Sequence, residues 1–537
     1  FLLRPLWLVR RPLAEGTPSL AQHRRTMPRA AMPMQPIARL MLRCSHHVRH
    51  PVGRMVPSAL ASTSGRSFSS YSASGGSKTA TRLRPKTCLN MYFSRFHDKP
   101  GLAGSVLSII GKHDLQLTHL ESKLYNYSFD GATIEVDIDG ITSDSPKLKH
   151  VIEEVKALGV MVDVRPALEV PWFPISRKEL DYCVEEVIGS GTGGLLAPDH
   201  PGFHDEHYKK RREEIASIAN SFREGDGRLP HIEYTAEEVA TWKAVYERLE
   251  VCHAKWACNE FKDVFPELKA EAGYGPEQIP QLQDISDYLQ SRTGFRLRPV
   301  CGLLSARDFL NALAFRTFCS TQYIRHGGNP FYTPEPDVCH ELIGHVPLLA
   351  DPHFAEFTQK VGLASLGAPD EAIVRLANIY WFTVEFGLVK NMQPDPFDSD
   401  PGSRVKVMGA GILSSFGEME WSASAQPSEE CRQMGGIARD YPALSKPALR
   451  EFMPEDAAVQ PYPITTYQPM YFVGESLRSM KDLIGDYCDR MDKKFYPVYD
   501  PITGTLNPSR HVSRLPRTST VHIQAEKQKA YFESLGQ

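Results

Sequence analysis

A mainly helical domain over 171–490, preceded by a small α+β unit of ferredoxin-like order over 86–166, is the fold class this sequence predicts. Three observations carry it. Hydrophobic periodicity over 86–166 switches between two and 3.6 in the order strand, helix, strand, strand, helix, strand. Long helical patterns, such as Glu206 to Phe222 and Ala236 to Phe261, dominate the later part. Pro166, Pro171 and Pro174 mark a linker between the two.

The elements follow in order. Between Glu15 and Asp98 there is no acidic residue, arginine recurs at 24, 25, 29, 39, 43, 49, 54 and 66, and serines cluster from Ser58 to Ser77. That composition over 1–84 predicts an organelle transit peptide or disordered basic region. The run at Arg66 resembles a mitochondrial processing site, which predicts a mitochondrial location. A plastid address, or a cytoplasmic location with a merely basic tail, is the alternative.

Thr87 to Phe93 reads as the first strand and Asp98 to Gly101 as a helix start. Leu102, Val106, Ile109 and Ile110 form that helix's apolar face. Leu115 and Leu117 begin a second strand, and Ile134, Val136 and Ile138 alternate in a third. Leu148, Val151, Ile152 and Val155 line a second helix, and Val160, Val162 and Val164 a last strand. The order βαββαβ is ferredoxin-like. Asn391 to Ser403 and Ser422 to Gln460 read as surface loops. The tail, 491–537, offers a possible oligomerisation segment without a sustained heptad.

Composition excludes some classes. A net charge of -3 gives no reason to expect nucleic acid or a membrane surface. No stretch reaches the ~18 uncharged apolar residues of a transmembrane helix. Ten cysteines without C-x-x-C clusters read as reduced thiols. Cys339 reads as packing.

The chemistry is concentrated in His340-Glu341-Leu342-Ile343-Gly344-His345 and Glu385. Two histidines and one carboxylate make the facial triad of a non-haem Fe(II), leaving positions open for oxygen chemistry. A zinc peptidase pair sits four residues apart on one helix face. Here the pair is five apart, roughly 140° around a straight helix. Convergence then requires a backbone bend, for which Gly344 and Pro347 are suited. Glu371 to Lys390 reads as one helix, with Ala377, Trp381 and Glu385 on one face. A carboxylate among Trp381, Phe382 and Phe386 needs compensation, which a metal provides. Salt-bridge or core roles are the competing reading of each residue taken alone.

The run from Thr333 to Lys390 resembles the pterin-dependent aromatic amino acid hydroxylases. So do VPWFP around Trp172, DHPGF from Asp199, TGFRLRPV from Thr293, RDFLNALAFR from Arg307, TQYIRHG from Thr321 and GAGILSSFGE from Gly409. The resemblance implies the hydroxylase-type catalytic fold, Fe(II), a tetrahydropterin (tetrahydrobiopterin or a related reduced pterin or folate) and O2. It implies iron ligands His340, His345 and Glu385. It implies pterin contacts at Gly302, Leu304, Phe309, Glu341, Ala377 and Tyr380, with Phe309 stacking on the ring. It implies a carboxylate fork at Arg325 completed by Thr333, Gly411 and Ser414, because guanidinium binds carboxylate bidentately. Pro336, Trp381 and Phe386 would wall the aromatic pocket, and Glu418 would orient an iron ligand through the serines.

Within that resemblance Trp381 matches the phenylalanine and tyrosine enzymes, and apolar Ile464 stands where the tyrosine enzymes tend to carry Asp, which implies L-phenylalanine as substrate and a phenylalanine 4-monooxygenase activity that yields L-tyrosine. Pro463 to Thr466 locally resembles the tryptophan enzymes, so tryptophan or tyrosine hydroxylation stays open. The α+β unit is similar to the ACT regulatory domain, with Gly101–Gly104 and Leu117–Ser122 as its ligand loops. Lys123-Leu124-Tyr125 departs from that pattern, leaving phenylalanine sensing and simple dimerisation both open. At least a homodimer is expected. A non-catalytic amino-acid sensor and a metalloprotease are the readings from other classes, and the five-residue histidine spacing disfavours the second.

Overall fold

The computed structural model describes most of the chain from Lys86 to Arg517. Residues 1–85, 95–99, 125–130, 189–195, 197–199, 393–403 and 518–537 fall outside the described residues, with short gaps at 167, 186, 332, 334, 465, 494, 509–511 and 516. The expected transit segment and the tip of the Asn391–Ser403 loop therefore lie outside them.

The α+β unit contains β1 (Lys86–Ser94), α1 (Leu102–Lys112), β2 (Leu117–Leu124), β3 (Gly131–Asp139), α2 (Pro146–Lys156) and β4 (Met161–Pro166). Its sheet runs β2-β3-β1-β4, with every neighbouring pair antiparallel. Alternation places Leu89, Met91 and Phe93 of β1 and Ile134, Val136 and Ile138 of β3 in one core. Leu148, Val151, Ile152 and Val155 of α2 close that core from above. Each such buried aliphatic side chain contributes ~1.5–3 kcal/mol relative to an exposed one. Asp98 and Lys99 lie outside the described residues. The helix begins at Leu102 behind Gly101, whose φ of 93° suits glycine.

After a short strand β5 (Glu169–Val170) the body is mainly helical. Helices α3 (Glu206–Ser221), α4 (Ala236–Trp256), α5 (Asn259–Glu271) and α6 (Leu282–Arg292) lead to a parallel strand pair, β6 (Arg296–Pro299) and β7 (Thr317–Ser320), which flank α7 (Ala306–Leu313). Thr235 and Glu238 form a capping box on α4. Trp242, Val245, Tyr246, Leu249, Cys252 and Trp256 then bury one face at helical spacing.

Two helices follow, α8 (Pro352–Ser365) and α9 (Asp370–Tyr380). A small sheet carries β8 (Leu388–Lys390), β9 (Val405–Val407), β10 (Ala448–Glu451) and β11 (Met470–Gly474), in the order β9-β8-β11-β10. Helix α10 (Phe416–Ala423) and helix α11 (Leu477–Arg490) pack against this region.

Several expectations need correction. Glu371 to Lys390 is not one helix, because Leu388–Lys390 is a strand paired on both sides. Ser422 to Gln460 is not a plain loop. It holds helices Glu429–Met434, Ile437–Asp440 and Pro454–Ala457 besides β10, and it buries Phe452 and Ala457. Its polar composition hid these short elements, which are fixed by tertiary packing. The described tail forms β12 (Pro497–Asp500), β13 (Thr505–Pro508) and β14 (Ser513–Arg514). β14 pairs in parallel with β5, and Arg514 bonds Glu179 and the Phe173 carbonyl. This part of the tail is thus part of the body. No helix among the described residues is long and apolar enough to cross a membrane. The nine described cysteines are buried free thiols, Cys339 among them.

Candidate active site

Both segments that carry the candidate ligands are π-helical turns. His340–His345 is one, continuing directly into the helical turn Val346–Leu349. Trp381–Glu385 is the other, at the end of α9. An i→i+5 bond from the Phe386 amide to the Trp381 carbonyl, 2.8 Å, closes the second. A π-turn brings residues five apart onto one face. The expected bend at Gly344 is therefore a widened turn. Gly344 instead permits a close approach, since a Cβ there would lie 2.6 Å from the Ala410 carbonyl oxygen. The loop after β9 comes just as near on the other side, where a Cβ at Gly409 would lie 2.3 Å from the Glu385 carbonyl. Glycine at these two points lets the loop and both turns pack against one another.

The three ligand atoms meet. Nε2 of His345 is 3.0 Å from Nε2 of His340, Glu385 Oε1 is 3.2 Å from His345, and Glu385 Oε2 is 3.6 Å from His340. The imidazoles stand edge to face at 85°. Two nitrogen lone pairs and a carboxylate converging at this separation fit a shared cation. Burial and the neighbouring His345 push His340 down to about 4, so its ring is neutral. Burial opposes charge on His345 and Glu385, yet their mutual attraction wins, raising the histidine and lowering the carboxyl.

The surrounding groups fix these ligands. Ser414 Oγ lies 3.0 Å from Nδ1 of His340 and donates to the Ala410 carbonyl at 2.8 Å. With its proton used there, the serine accepts Nδ1–H, leaving Nε2 as the ligand lone pair. Ser414, expected at a substrate carboxylate, has its hydroxyl on the candidate ligand His340 and the Ala410 carbonyl in the structure. Glu418 was expected to act through the serines. Its carboxylate instead accepts from Tyr471 Oη at 2.8 Å and the Gln468 amide at 3.1 Å, and burial pushes it up to about 7.

Arg325 is buried and held bidentately by Asp337, at 2.9 Å through Nε and 2.8 Å through Nη2. Nη1 is left with a long contact to the Pro330 carbonyl, 3.4 Å, and is the donor available to another group. Asp337 also accepts from the His340 amide at 3.1 Å, so this ion pair braces the first π-turn. Thr333 turns its hydroxyl onto the Glu335 carbonyl, 2.8 Å. Half-buried Pro336 lies next to Asp337 in the chain. Gly411 packs against Phe386, where a Cβ would lie 2.7 Å from the ring.

Trp381 stacks on Tyr462 at 4.0 Å and meets Phe386 tilted by 37° at 4.5 Å, and its indole Nε1 donates to Gln468 Oε1 at 3.3 Å. Ile464, expected to bear on the substrate, is 77% exposed and does not line this wall. On the other flank, Phe309 meets Tyr380 edge to face at 5.3 Å. The Tyr380 hydroxyl is buried without a hydrogen-bond partner. Glu341 accepts from the Thr321 amide at 3.1 Å, and burial pushes its carboxyl up to about 7. Gly302 and Leu304 are buried just ahead of α7, and Ala377 is half-buried on α9. An aromatic face, a waiting hydroxyl and a carboxyl that is easily protonated suit a flat heterocycle with polar edges.

Sequence reasoning missed Asp337, Thr321, Tyr462 and Gln468. A carboxylate in the same Glu-Pro-Asp run as the predicted pocket was the available signal for Asp337. Nothing local marked the others, which act through tertiary contacts.

Known proteins resemble this chain over the same region. Residues 171–530 match the family "Biopterin-dependent aromatic amino acid hydroxylase". The chain is 43% identical to a phenylalanine-4-hydroxylase of Dictyostelium discoideum, covering 77% of this chain and 87% of that protein. It is 40% identical to the phenylalanine-4-hydroxylase of Bos taurus, covering 84% and 92%. It is also 43% identical to the tyrosine 3-monooxygenase of Mus musculus, covering 77% of each. Among solved structures it is similar to a Chromobacterium violaceum phenylalanine hydroxylase with bound iron(III) and oxidised 7,8-dihydrobiopterin. That similarity is 29% identity over 52% of this chain and 89% of that one, with a TM-score of 0.41.

Proposed function

Because the chain belongs to the biopterin-dependent aromatic amino acid hydroxylases, we propose that it is a phenylalanine 4-monooxygenase, converting L-phenylalanine to L-tyrosine. The observation that carries this reading is the His340–His345–Glu385 cluster beside the aromatic wall of Trp381, Tyr462 and Phe386. When bound, Fe(II) and the reduced pterin supply the activation of O2 that ring hydroxylation requires.

The protein's residues do the rest. His340, His345 and Glu385 would hold the metal. Ser414 keeps the His340 proton on Nδ1. Phe309 and Tyr380 would flank a bound pterin ring, and the Glu341 carboxyl would serve its polar edge. Gly302, Leu304 and Ala377 shape the floor. Nη1 of Arg325, steadied by Asp337, meets the substrate carboxylate, with Thr333 and Gly411 nearby. Trp381, Pro336 and Phe386 enclose the ring and keep water out, so the gain comes from positioning.

Relatives named for phenylalanine hydroxylation in Dictyostelium, cattle and nematode support phenylalanine. The second reading, tyrosine hydroxylation, is favoured by relatives at equal identity. Product analysis with Fe(II), O2, a reduced tetrahydropterin and equal phenylalanine, tyrosine and tryptophan decides between them. Tyrosine as main product, absent with Glu385→Ala, is expected. Hydroxylated tyrosine or tryptophan as main product overturns the substrate assignment.

The βαββαβ topology supports an ACT-type role for 86–166. Phenylalanine binding by the full chain with a stoichiometry above one per protomer tests it, and a single site per protomer excludes it. The Arg- and Ser-rich segment supports mitochondrial delivery. Import of the full chain into isolated mitochondria tests this, and exclusion of the chain contradicts it.

A further inference from the structure

A second triad of two histidines and one glutamate stands on the α+β unit, far along the chain from the catalytic one. His113 follows the last residue of α1, and His150 and Glu154 lie four apart on the exposed side of α2. Nε2 of His113 is 2.8 Å from Glu154 Oε1, and Nε2 of His150 is 3.1 Å from the same oxygen. The two imidazoles stand edge to face at 82°, with centroids 5.4 Å apart. The catalytic histidines show nearly the same arrangement, 85° and 4.8 Å. Among the described residues these are the two groups whose ligand atoms gather closely enough to share a metal ion.

We propose that His113, His150 and Glu154 form a binding site for a borderline divalent cation, zinc being the probe of choice, that joins α1 to α2. Donor type selects this class: two imidazoles and one carboxylate suit zinc and its neighbours, whereas calcium and magnesium take oxygen ligands. Zinc bonds of ~2.0–2.2 Å to such donors place tetrahedral ligand atoms a little over 3 Å apart, near the 2.8 and 3.1 Å that separate the two imidazole nitrogens from Glu154. Water completes the fourth position, as His150 is 68% exposed at its side chain. Lys112 Nζ lies 3.6 Å from the other glutamate oxygen, Oε2, and leaves Oε1 for the metal. Both helices pack on the same core through their opposite faces, so the ion ties them where hydrophobic contact does not. The proposal is independent of the hydroxylase reading.

The test is zinc binding by the full chain, with the catalytic site silenced by Glu385→Ala so that the two sites are counted apart. Wild type is expected to hold two zinc ions, Glu385→Ala one, and Glu385→Ala with His150→Ala none at the same zinc concentration. His113→Gln and His150→Ala in the wild-type background each lose one ion and keep hydroxylase activity. Affinity at this site falls at least about tenfold, since even outer-shell partners are worth ~10–100-fold. Zinc raises the melting temperature of the Glu385→Ala protein, and His150→Ala abolishes that rise. Equal zinc content with and without His150 overturns the proposal. So does a stability loss in His150→Ala that neither zinc nor a chelator alters, which identifies a metal-free ion pair between the helices.

Discussion

Replacing Ser414 with alanine separates two roles that one hydroxyl could serve. In the structure its oxygen is 3.0 Å from Nδ1 of His340 and is buried. Alanine leaves the Nδ1–H without a protein partner in a largely buried site. An unsatisfied buried donor costs ~1–3 kcal/mol. Placed on an iron ligand, that becomes a roughly 5- to 150-fold loss of Fe(II) affinity, in line with the ~10–100-fold typical of partners behind a metal ligand. The assay is Fe(II) titration of the metal-free protein, followed by KM for phenylalanine and kcat at saturating iron. Weaker iron binding with a KM close to wild type is expected. Unchanged iron affinity with a raised KM refutes the positioning role and returns Ser414 to the substrate carboxylate.

Other perturbations follow from the same contacts. Asp337→Asn breaks a buried ion pair and should cost ~3–5 kcal/mol in urea denaturation at neutral pH. Burial works to raise Asp337, but Arg325 and its hydrogen bonds hold it below its usual 3.8, so this stability exists above that pH and disappears as pH falls through the lowered value. The wild-type advantage should therefore shrink in acid, and a constant advantage contradicts the assignment. Glu418, raised by burial from 4.5 to about 7, carries the opposite sign: its stability is full below 4.5 and lost as pH rises through 7. At ~1.4 kcal/mol per pH unit, Glu418→Gln should remove a slope worth about 3 kcal/mol across that window, and an unchanged slope refutes it. Tyr462→Ala should free the Trp381 indole, cost ~0.5–1.5 kcal/mol of stacking and raise KM for phenylalanine several-fold with kcat nearly kept; an unmoved KM argues against this wall.

Much of the site was legible because its residues are chemically distinctive. Two histidines with a carboxylate among aromatics can do little else at low cost. The period-two strands and amphipathic helices of 86–166 follow directly from burial on one face. What escaped notice depends on three-dimensional closure. The five-residue spacing of His340 and His345 was visible, but a π-turn differs from a bent helix only in its hydrogen bonding, which propensity does not encode. Ser414 lies two residues past the Gly-Ala-Gly-Ile run, and nothing local says whether it faces substrate or ligand. Arg325 was found as a fork, yet its tines are mostly taken by Asp337. Ile464 is exposed, whereas Tyr462, two residues earlier, stacks on Trp381. Strand β10 has four exposed residues and so no hydrophobic alternation to read.

The central claim is that two π-turns bring His340, His345 and Glu385 onto one iron. Anomalous diffraction at the iron edge from crystals of the Fe(II)-loaded chain tests it most directly. The account predicts one strong peak bonded to Nε2 of both histidines and to a Glu385 oxygen, with i→i+5 hydrogen bonding kept in both turns. Iron bound elsewhere, or His340–His345 as a regular α-helix with one ring turned away, would contradict it.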